Sequence, residues 1–536
     1  MQIKIEEVQP GSKEIIFYDS YLHKDIIKLI PGRIYNDVEK TWRVPYNTQS
    51  VVLVNQYFST KLPTPEYREV PELAPADYCY ISHLYNHQKL SITAARQVNY
   101  FADLSEPGSG KTLVQIELML ERNKWPVLII CPKSIIEPVW GRQIGEIFDS
   151  LDRPYHIEYL TRSSKDNKKT LNDFAKGDQD YENFIGIINY EMVPLVISEL
   201  SNIRWKFIIL DESTKIKSPK AKRSKSIMML RDKSVYRSIM TGTLAPNGLL
   251  DAFNQFRFLQ PKIFGESWFA FRQTFFIQHP KVDFLWYPKP DTYEIFKRSI
   301  KPLSIQHHKR DCLDLPPMVE ELRSISMNGR QRDAYVQMKN DFLLWLDNQE
   351  VIRAPFVMTQ MMKLRQICSG FVYVDDDRVE EIGSNKYEEL KDLISEINDR
   401  VIIFAHFNHT IQSLFNKLKK DKHNVCQFRD SGDSSKKQSL IDFESGKANI
   451  FLANPASAGH GLNLQYCSNI IYYESDFNLE NYLQSIQRIE RIGQQNKMTV
   501  YYLICEKSIE ELIYKKLKAK EDINKKLDIN EIKAGV

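Results

Sequence analysis

From about His83 onward, short apolar runs alternate with amphipathic stretches. WPVLIICP, NFIGIIN, WKFIILDE and YRSIMTGT each set four to six apolar residues against a polar turn. Parallel strands buried under helices have this pattern, because both faces of such a strand are covered. An aromatic-rich stretch, GESWFAFRQTFFIQHPKVDFLWYPKP (Gly265 to Pro290), breaks the alternation. It resumes from about Lys386 with RVIIFAHF, NIFLAN, NIIYYES and VYYLICE. Two separated runs predict two α/β lobes in tandem, and no short-period repeat is present. Ahead of them, Ile34 to Pro45 reads as a hairpin around Asn36-Asp37, with Trp42 and Val44 alternating on its second strand. The Pro- and Glu-rich LPTPEYREVPELAPAD that follows reads as a linker. The predicted organisation is a small accessory domain over 1–74, a first lobe over 75–262, an insertion and inter-lobe region over 263–383, and a second lobe with a C-terminal helix over 384–536.

Length and composition narrow the class. A chain of 536 residues suggests two to four domains. With 42% hydrophobic and 26% charged residues it reads as a soluble globular protein and not as a disordered one. A net charge of +4 means that any nucleic-acid surface is a local patch. The N-terminus lacks an apolar signal core, and runs such as VLIIC and FIIL are far too short to span a membrane. Seven cysteines at 79, 131, 312, 368, 426, 467 and 505 form no C-x-x-C pair. That excludes a zinc or disulfide framework and points to a reducing, cytoplasmic setting. Heavy use of Lys, Ile, Asn and Tyr suggests an AT-rich bacterial or viral genome.

Candidate chemistry begins at SEPGSGKT, Ser105 to Thr112. It follows the apolar run Tyr100 to Leu104 and precedes a helical pattern, the setting a phosphate loop needs. The backbone of Gly108, Ser109 and Gly110 would cradle phosphates, Lys111 would neutralise them and the Thr112 hydroxyl would ligate magnesium. A glycine turn capping a helix explains the tripeptide alone equally well. Asp211 and Glu212, however, end the strand WKFIIL without a spacer. There an aspartate holds magnesium through water, and a glutamate orients and deprotonates the attacking water. Downstream, QSIQRIERIGQ carries Arg488 and Arg491, three apart and so predicted to neighbour each other on one helix face. Asn478 is the expected N-cap of that helix and Gly493 its stop. Paired arginines are elsewhere surface ion-pair residues; here they belong to the second lobe and are expected to act as arginine fingers on a site built by the first.

This ordered set resembles the superfamily-two helicases and, within them, the SWI/SNF-type ATPases, from about residue 80 to 520. The resemblance implies two RecA-like lobes, ATP and Mg2+. Gln88 in LYNHQ matches the adenine-reading glutamine, and Gly461 and Gln484 match nucleotide-site positions of the second lobe. CPKS with Trp140 after it resembles a strand-tracking segment, implying DNA contacts at Pro132, Lys133 and Ser134. SAGHGLNL implies further contacts at Asn454, Ser457, Gly459 and Asn463. TGT (Thr241, Gly242, Thr243), with Asn247 behind it, looks like the motif coupling hydrolysis to movement. KRDCLDLPP (Lys309 to Pro317), LRQICSG (Leu364 to Gly370) and VIIFAHF (Val401 to Phe407) match further family segments. Departures are Ser105 where Gly or Ala is common, Ser213-Thr214 for Ala-His, Leu244-Ala245 for Pro-Leu, and Glu490 for His. None removes a residue that binds phosphate, magnesium or water, so an active enzyme is expected. Ile26 to Pro45 faintly resembles the DNA-binding HARP module of annealing helicases, though a structural hairpin accounts for the same residues.

The resemblance implies ATP-driven translocation along double-stranded DNA, without routine strand separation, by a monomer. Two readings stay open beside it: a strand-separating or annealing helicase on forked DNA or RNA, and a DNA-binding scaffold with a decayed ATPase. KIKSPKAKRSK (Lys215 to Lys225) is placed to contact phosphates, although a solvated helix face explains the same run. Trp268, Phe269, Phe271, Phe275 and Phe276 are suited to base stacking or to packing between the lobes.

Overall fold

The computed structural model describes residues 1–9, 12–63, 73–177, 182–280, 282, 285–312, 316–347, 354–374, 378–397, 399–428, 433–458, 464–491 and 494–526. Residues 64–72 of the linker, 313–315 of KRDCLDLPP, Gly459, Gly461 and Asn463 of SAGHGLNL, and Gly493 lie outside that set. The chain forms two compact units, one mainly from residues 1–277 and 287–308, the other mainly from 309–522.

Among the described residues, the first unit holds a seven-stranded sheet in the order Ser304–Ile305, Tyr100–Asp103, Tyr236–Met240, Phe207–Asp211, Val127–Cys131, Phe184–Asn189, His156–Leu160. Every pairing is parallel. Val127–Cys131, Phe184–Asn189 and Phe207–Asp211 are buried at every position, which is why they read as unbroken apolar runs. The strand order places the C-terminal ends of Tyr100–Asp103, Tyr236–Met240 and Phe207–Asp211 side by side. Met240 is in register with Asp103 on one side and Asp211 on the other. Ligands of open parallel sheets bind outside such strand ends.

The N-terminal residues of this unit form an antiparallel sheet in the order Gln2–Gln9, Ser12–Tyr18, Thr41–Pro45, Ile34–Asn36. The expected hairpin is present, with Tyr35 opposite Trp42, and the Asn36 side chain accepts from the backbone N–H groups of Val38 and Glu39. Helix Thr48–Phe58, capped by Asn47, covers the sheet, its Val51 and Val54 sharing a core with Ile15, Phe17 and Val44. The Thr48 hydroxyl lies 3.1 Å from that of Ser299, so this module is docked against the segment after the aromatic stretch.

Trp268, Phe271, Phe275 and Phe276 pack within the first unit, which corrects the expectation that they fill the space between the lobes, while Gln278–Trp286 of the same stretch belong to the second unit. Phe271 lies 4.7 Å from Phe253, centroid to centroid, and Phe264 stacks on Phe296 at 4.6 Å. Phe271, Phe275 and Phe276 are buried, Trp268 is half-buried against Phe253, and Phe269 is exposed. Seven-residue spacing and the N-cap Ser267 build a helix over Trp268–Phe275, and its rings complete an apolar core that already contains Phe253, Phe256 and Phe264.

Among the described residues, the second unit has a parallel sheet in the order Met318–Ile325, Met498–Cys505, Asn469–Tyr472, Val401–Phe404, Ile450–Ala453, Val425–Phe428. Its edge strand Met318–Ile325 pairs with Met498–Cys505 from end to end, although half of its sequence, MVEELRSI, is polar and its apolar residues do not alternate. An edge strand with an open face tolerates charge, and charge there discourages stray pairing. No described helix is long and apolar enough to cross a membrane, and all seven cysteines are free.

A buried ion pair ties the second unit together. Lys386 Nζ donates to Glu510 Oε1 at 2.5 Å and to the Tyr473 carbonyl at 2.9 Å, and Glu510 Oε2 accepts from the Cys505 N–H at 2.9 Å. Both side chains are almost fully enclosed. Lys386→Met leaves the Glu510 carboxylate buried without its cation, and we expect it to cost about 3–5 kcal/mol of stability in urea unfolding. Breaking the exposed Arg330–Glu380 pair should cost less than about 1 kcal/mol in the same measurement.

Candidate nucleotide site

The Tyr100–Asp103 strand ends in a carboxylate that shapes the loop after it, since Asp103 Oδ1 accepts from the Ser105 N–H at 3.1 Å. Gly108 and Gly110 take φ of +89° and +79°, values L side chains rarely adopt, and Gly110 opens helix Lys111–Arg122. Lys111 Nζ donates to the carbonyls of Ser105 (2.6 Å) and Glu106 (3.2 Å), so its ammonium lies across the loop. Thr112 sits in the first turn behind it.

Residues from two other segments brace this loop. The His87 ring is 2.9 Å from the Ser109 carbonyl. Gln88 Nε2 donates to the same carbonyl at 3.2 Å, while its Oε1 accepts from the Tyr85 N–H at 2.8 Å. Both polar ends of Gln88, expected to read adenine, therefore cap its own helix and hold the loop here. From the other side, His307 donates its N–H to Ser105 Oγ (3.2 Å) and its carbonyl accepts from Glu106 (3.0 Å). The His307 ring meets Ser91 Oγ at 3.1 Å, and burial holds that imidazole below its ordinary pKa. His308 Nδ1 lies 3.0 Å from Glu106 Oε1. The Ser105 hydroxyl thus has a partner that glycine or alanine would lack. His87, His307 and His308 were not found from sequence; their pairing depends on the short strand Ser304–Ile305, which carries almost no pattern of its own.

The acid pair closes the Phe207–Asp211 strand. Asp211 Oδ2 accepts from the indole N–H of Trp140 at 2.9 Å, and the Tyr190 hydroxyl donates to the Asp211 carbonyl at 2.8 Å. Burial pushes the Asp211 carboxyl above its usual range, opposed by the Trp140 hydrogen bond and the Lys111 charge. Trp140 lies on the π-helical turn Ile136–Gly141 that follows the CPKS segment. Glu212 is left-handed, at φ +56° and ψ +56°, a strained conformation for a residue with a Cβ. The donor set suits magnesium: a carboxylate on Asp211 and a hydroxyl on Thr112 are the hard oxygen ligands it takes.

The TGT turn completes the group. Thr241 Oγ1 donates to the Thr243 carbonyl and accepts from the Thr243 N–H, both at 3.1 Å. A Cβ on Gly242 would overlap the Cδ and Cγ of Pro107, so the turn lies directly against the phosphate loop.

In the second unit, Asn478 caps helix Leu479–Ile486 as expected, accepting from Glu480 and Asn481. Gln484 is buried on that helix. The helix ends at Ile486, which corrects the expectation that Arg488 and Arg491 share a helix face; both lie in the turns that follow. Gln494 Nε2 donates to the carbonyls of Cys467 (2.9 Å) and Ile489 (3.2 Å) and draws this segment off the helix axis. Arg491 Nε donates to the Gln487 carbonyl at 3.0 Å, and burial lowers its guanidinium pKa. The Arg488 carbonyl accepts from the Leu464 N–H at 3.1 Å. Glu490 has a partner too: Lys309 Nζ donates to its carbonyl (2.7 Å) and carboxylate (3.1 Å).

The segments expected to meet DNA are turns at strand ends. Lys133 and Ser134 are exposed on the turn Lys133–Ile135, with Pro132 before it. Asn454 donates to the His406 carbonyl and accepts from the Ala456 N–H, fixing the turn that carries the half-buried Ser457. Of the basic run, Lys220, Lys222 and Lys225 are exposed, whereas Arg223 folds back onto the Lys215 carbonyl at 2.7 Å.

The contact of Gly242 with Pro107 is directly testable. Gly242→Ala should force the phosphate loop to shift and weaken binding of a fluorescent ATP analogue by about tenfold or more, the scale of an overpacking strain. Gly329→Ala, at a position with open space around it, should leave that affinity unchanged.

Residues 100–370 match the SNF2-related domain, and residues 385–493 match the helicase conserved C-terminal domain. The chromatin structure-remodeling complex subunit snf21 of Schizosaccharomyces pombe is 26% identical over 456 residues, 79% of this chain and 37% of its own length. Putative protein p41 of Acyrthosiphon pisum secondary endosymbiont phage 1 is 25% identical over 470 residues, covering 84% of this chain and 96% of that protein. The putative ATP-dependent helicase/translocase YwqA of Bacillus subtilis is 27% identical over 438 residues, 78% of this chain and 45% of its own. The chain thus spans less than half the length of snf21 and YwqA, and nearly all of the phage protein. With more than half of its length accounted for by the two domains, the chain belongs to the SNF2-related family of helicase-like proteins.

Proposed function

We propose that this protein is a DNA-dependent ATPase that translocates along double-stranded DNA, hydrolysing ATP to ADP and phosphate. The observation that carries the reading is the convergence of phosphate loop, acid pair and TGT turn at three neighbouring strand ends, with Met240 in register with both aspartates. In this reading Gly108, Ser109 and Gly110 offer backbone N–H groups to the phosphates, and Lys111 turns from the loop carbonyls to the β and γ phosphates. Glu212 accepts a proton from the attacking water as that water is oriented for in-line attack. Thr112 and Asp211 would hold magnesium, which when bound would supply positive charge to the phosphates. Gln88 exchanges its internal partners for the adenine edge. From the second lobe, Gln484 and Gly461 serve nucleotide binding, and Arg488 and Arg491 stabilise charge developing on the γ-phosphate.

Thr241, Gly242 and Thr243 pass the state of the nucleotide to the DNA-binding segments. Lys133 and Ser134 beside Pro132, and Asn454, Ser457, Gly459 and Asn463, grip the DNA backbone; contacts of this type carry no base specificity. In this reading the protein acts as a monomer in the cytoplasm, and relatives from a phage and from B. subtilis are in keeping with a bacterial or viral origin.

The test is ATP hydrolysis measured without nucleic acid and with blunt duplex DNA, single-stranded DNA, forked DNA or duplex RNA. Strong stimulation by blunt duplex, reduced at least a hundredfold in Glu212→Gln, is expected for loss of a general base. Stimulation by single strands or RNA alone would make the protein a conventional helicase, and no hydrolysis would make it a binding protein.

A further inference from the structure

Two departures from the SWI/SNF pattern meet at one side chain. Ser213 directly follows the acid pair, and Leu244 directly follows the TGT turn. Ser213 Oγ donates to Gln255 Oε1 at 2.6 Å, and Gln255 Nε2 donates to the Leu244 carbonyl at 2.9 Å. The same Nε2 donates to the Asp251 carbonyl at 3.0 Å, which locks the amide to its own helix, Leu250–Leu259. Ser213 and Gln255 are both 0% exposed, so water does not compete for the bridge. Next to it, Asn254 Nδ2 donates to the Ile216 carbonyl at 2.6 Å. One helix therefore grips the turn Ser213–Ile216 at its first and last residues.

This grip bears on the catalytic geometry. Glu212 holds a left-handed conformation that its side chain disfavours, and such strain persists only where neighbours over-determine it. Ser213 is the next residue, and its hydroxyl is tethered. At the far end of the bridge, Leu244 follows the turn whose Gly242 abuts Pro107 of the phosphate loop. The contacts form a continuous chain from phosphate loop through TGT turn, Gln255 and Ser213 to the acid pair.

We propose that Gln255 is a positioning residue that couples the acid pair to the TGT turn, so that a shift of one loop on hydrolysis moves the other. It touches no reacting atom. A single buried amide with one acceptor and one donor end transmits displacement because neither end can let go without leaving a polar group buried and unpaired. The proposal rests on the translocase reading above.

The test uses the full chain with Ser213→Ala, Gln255→Met and the double variant. Hydrolysis with and without blunt duplex DNA, displacement of a third strand from a triplex, and Tm are measured on each. Each single variant should lower displacement events per ATP hydrolysed by about fivefold, whatever its effect on the rate of hydrolysis itself. The double variant should lose no more than either single one, because both break the same bridge. A purely structural role would lower Tm and leave displacement per ATP unchanged, and that result overturns the proposal. Losses that multiply in the double variant overturn it too, since the two residues would then act separately. If Gln255→Met does not fold, Ser213→Ala carries the test, because it removes one hydroxyl only. Absence of duplex-stimulated hydrolysis in the parent protein would instead sink the translocase reading, so the two failures are told apart.

Discussion

The site depends on one constraint of parallel-sheet geometry: three strands that are distant in sequence must end at the same level. Met240 enforces it, in register with Asp103 on one side and Asp211 on the other. Because the strands are parallel and buried, their C-terminal carboxylates and the turn between them emerge together. The polar groups that emerge cannot be left dry. Asp211 is therefore held by the Trp140 indole, Asp103 by the Ser105 backbone, and the TGT turn by its own threonine pair. A slip of one residue in any of the three strands would bury a carboxylate without these partners.

Around that level the packing leaves little slack. Gly242 has room for no side chain because Pro107 fills the space, and Gly110 takes a positive φ that L side chains rarely adopt, with the Gln88 amide against it. Histidines from two further segments hold the loop from behind. The Ser304–Ile305 strand that brings one of them is only two residues long, yet it pairs with Tyr100–Asp103 and passes its hydrogen bonds on to Leu104 and Glu106. The loop is thus preorganised by protein contacts, the condition under which fixed dipoles stabilise developing charge most effectively.

How much of this was legible in the sequence follows from what each residue does. Fully buried parallel strands announce themselves as apolar runs, so the two α/β lobes and the acid pair could be placed from sequence. The phosphate loop was legible because its conformation requires Gly108 and Gly110 at fixed offsets from Lys111. The edge strand Met318–Ile325 was not, since an edge strand with an open face needs no apolar alternation. The bracing histidines were not, because their partners are set by tertiary pairing and not by spacing. The turn after Ile486 was misread as helix: local spacing favoured a continuous face, but Gln494 bonds to the carbonyls of Cys467 and Ile489 and redirects the chain. Two of the departures from the family pattern have partners in the structure, Glu490 with Lys309 and Ser213 with Gln255.

In the proposed function, ATP hydrolysis at this site drives movement along intact duplex DNA. The most direct measurement follows one DNA template carrying a labelled third strand in a triplex and separate labels on the two duplex strands. With ATP, the account predicts that the third strand is released while the two duplex strands stay paired. Separation of the duplex strands, or ATP consumption with the third strand left in place, would contradict it.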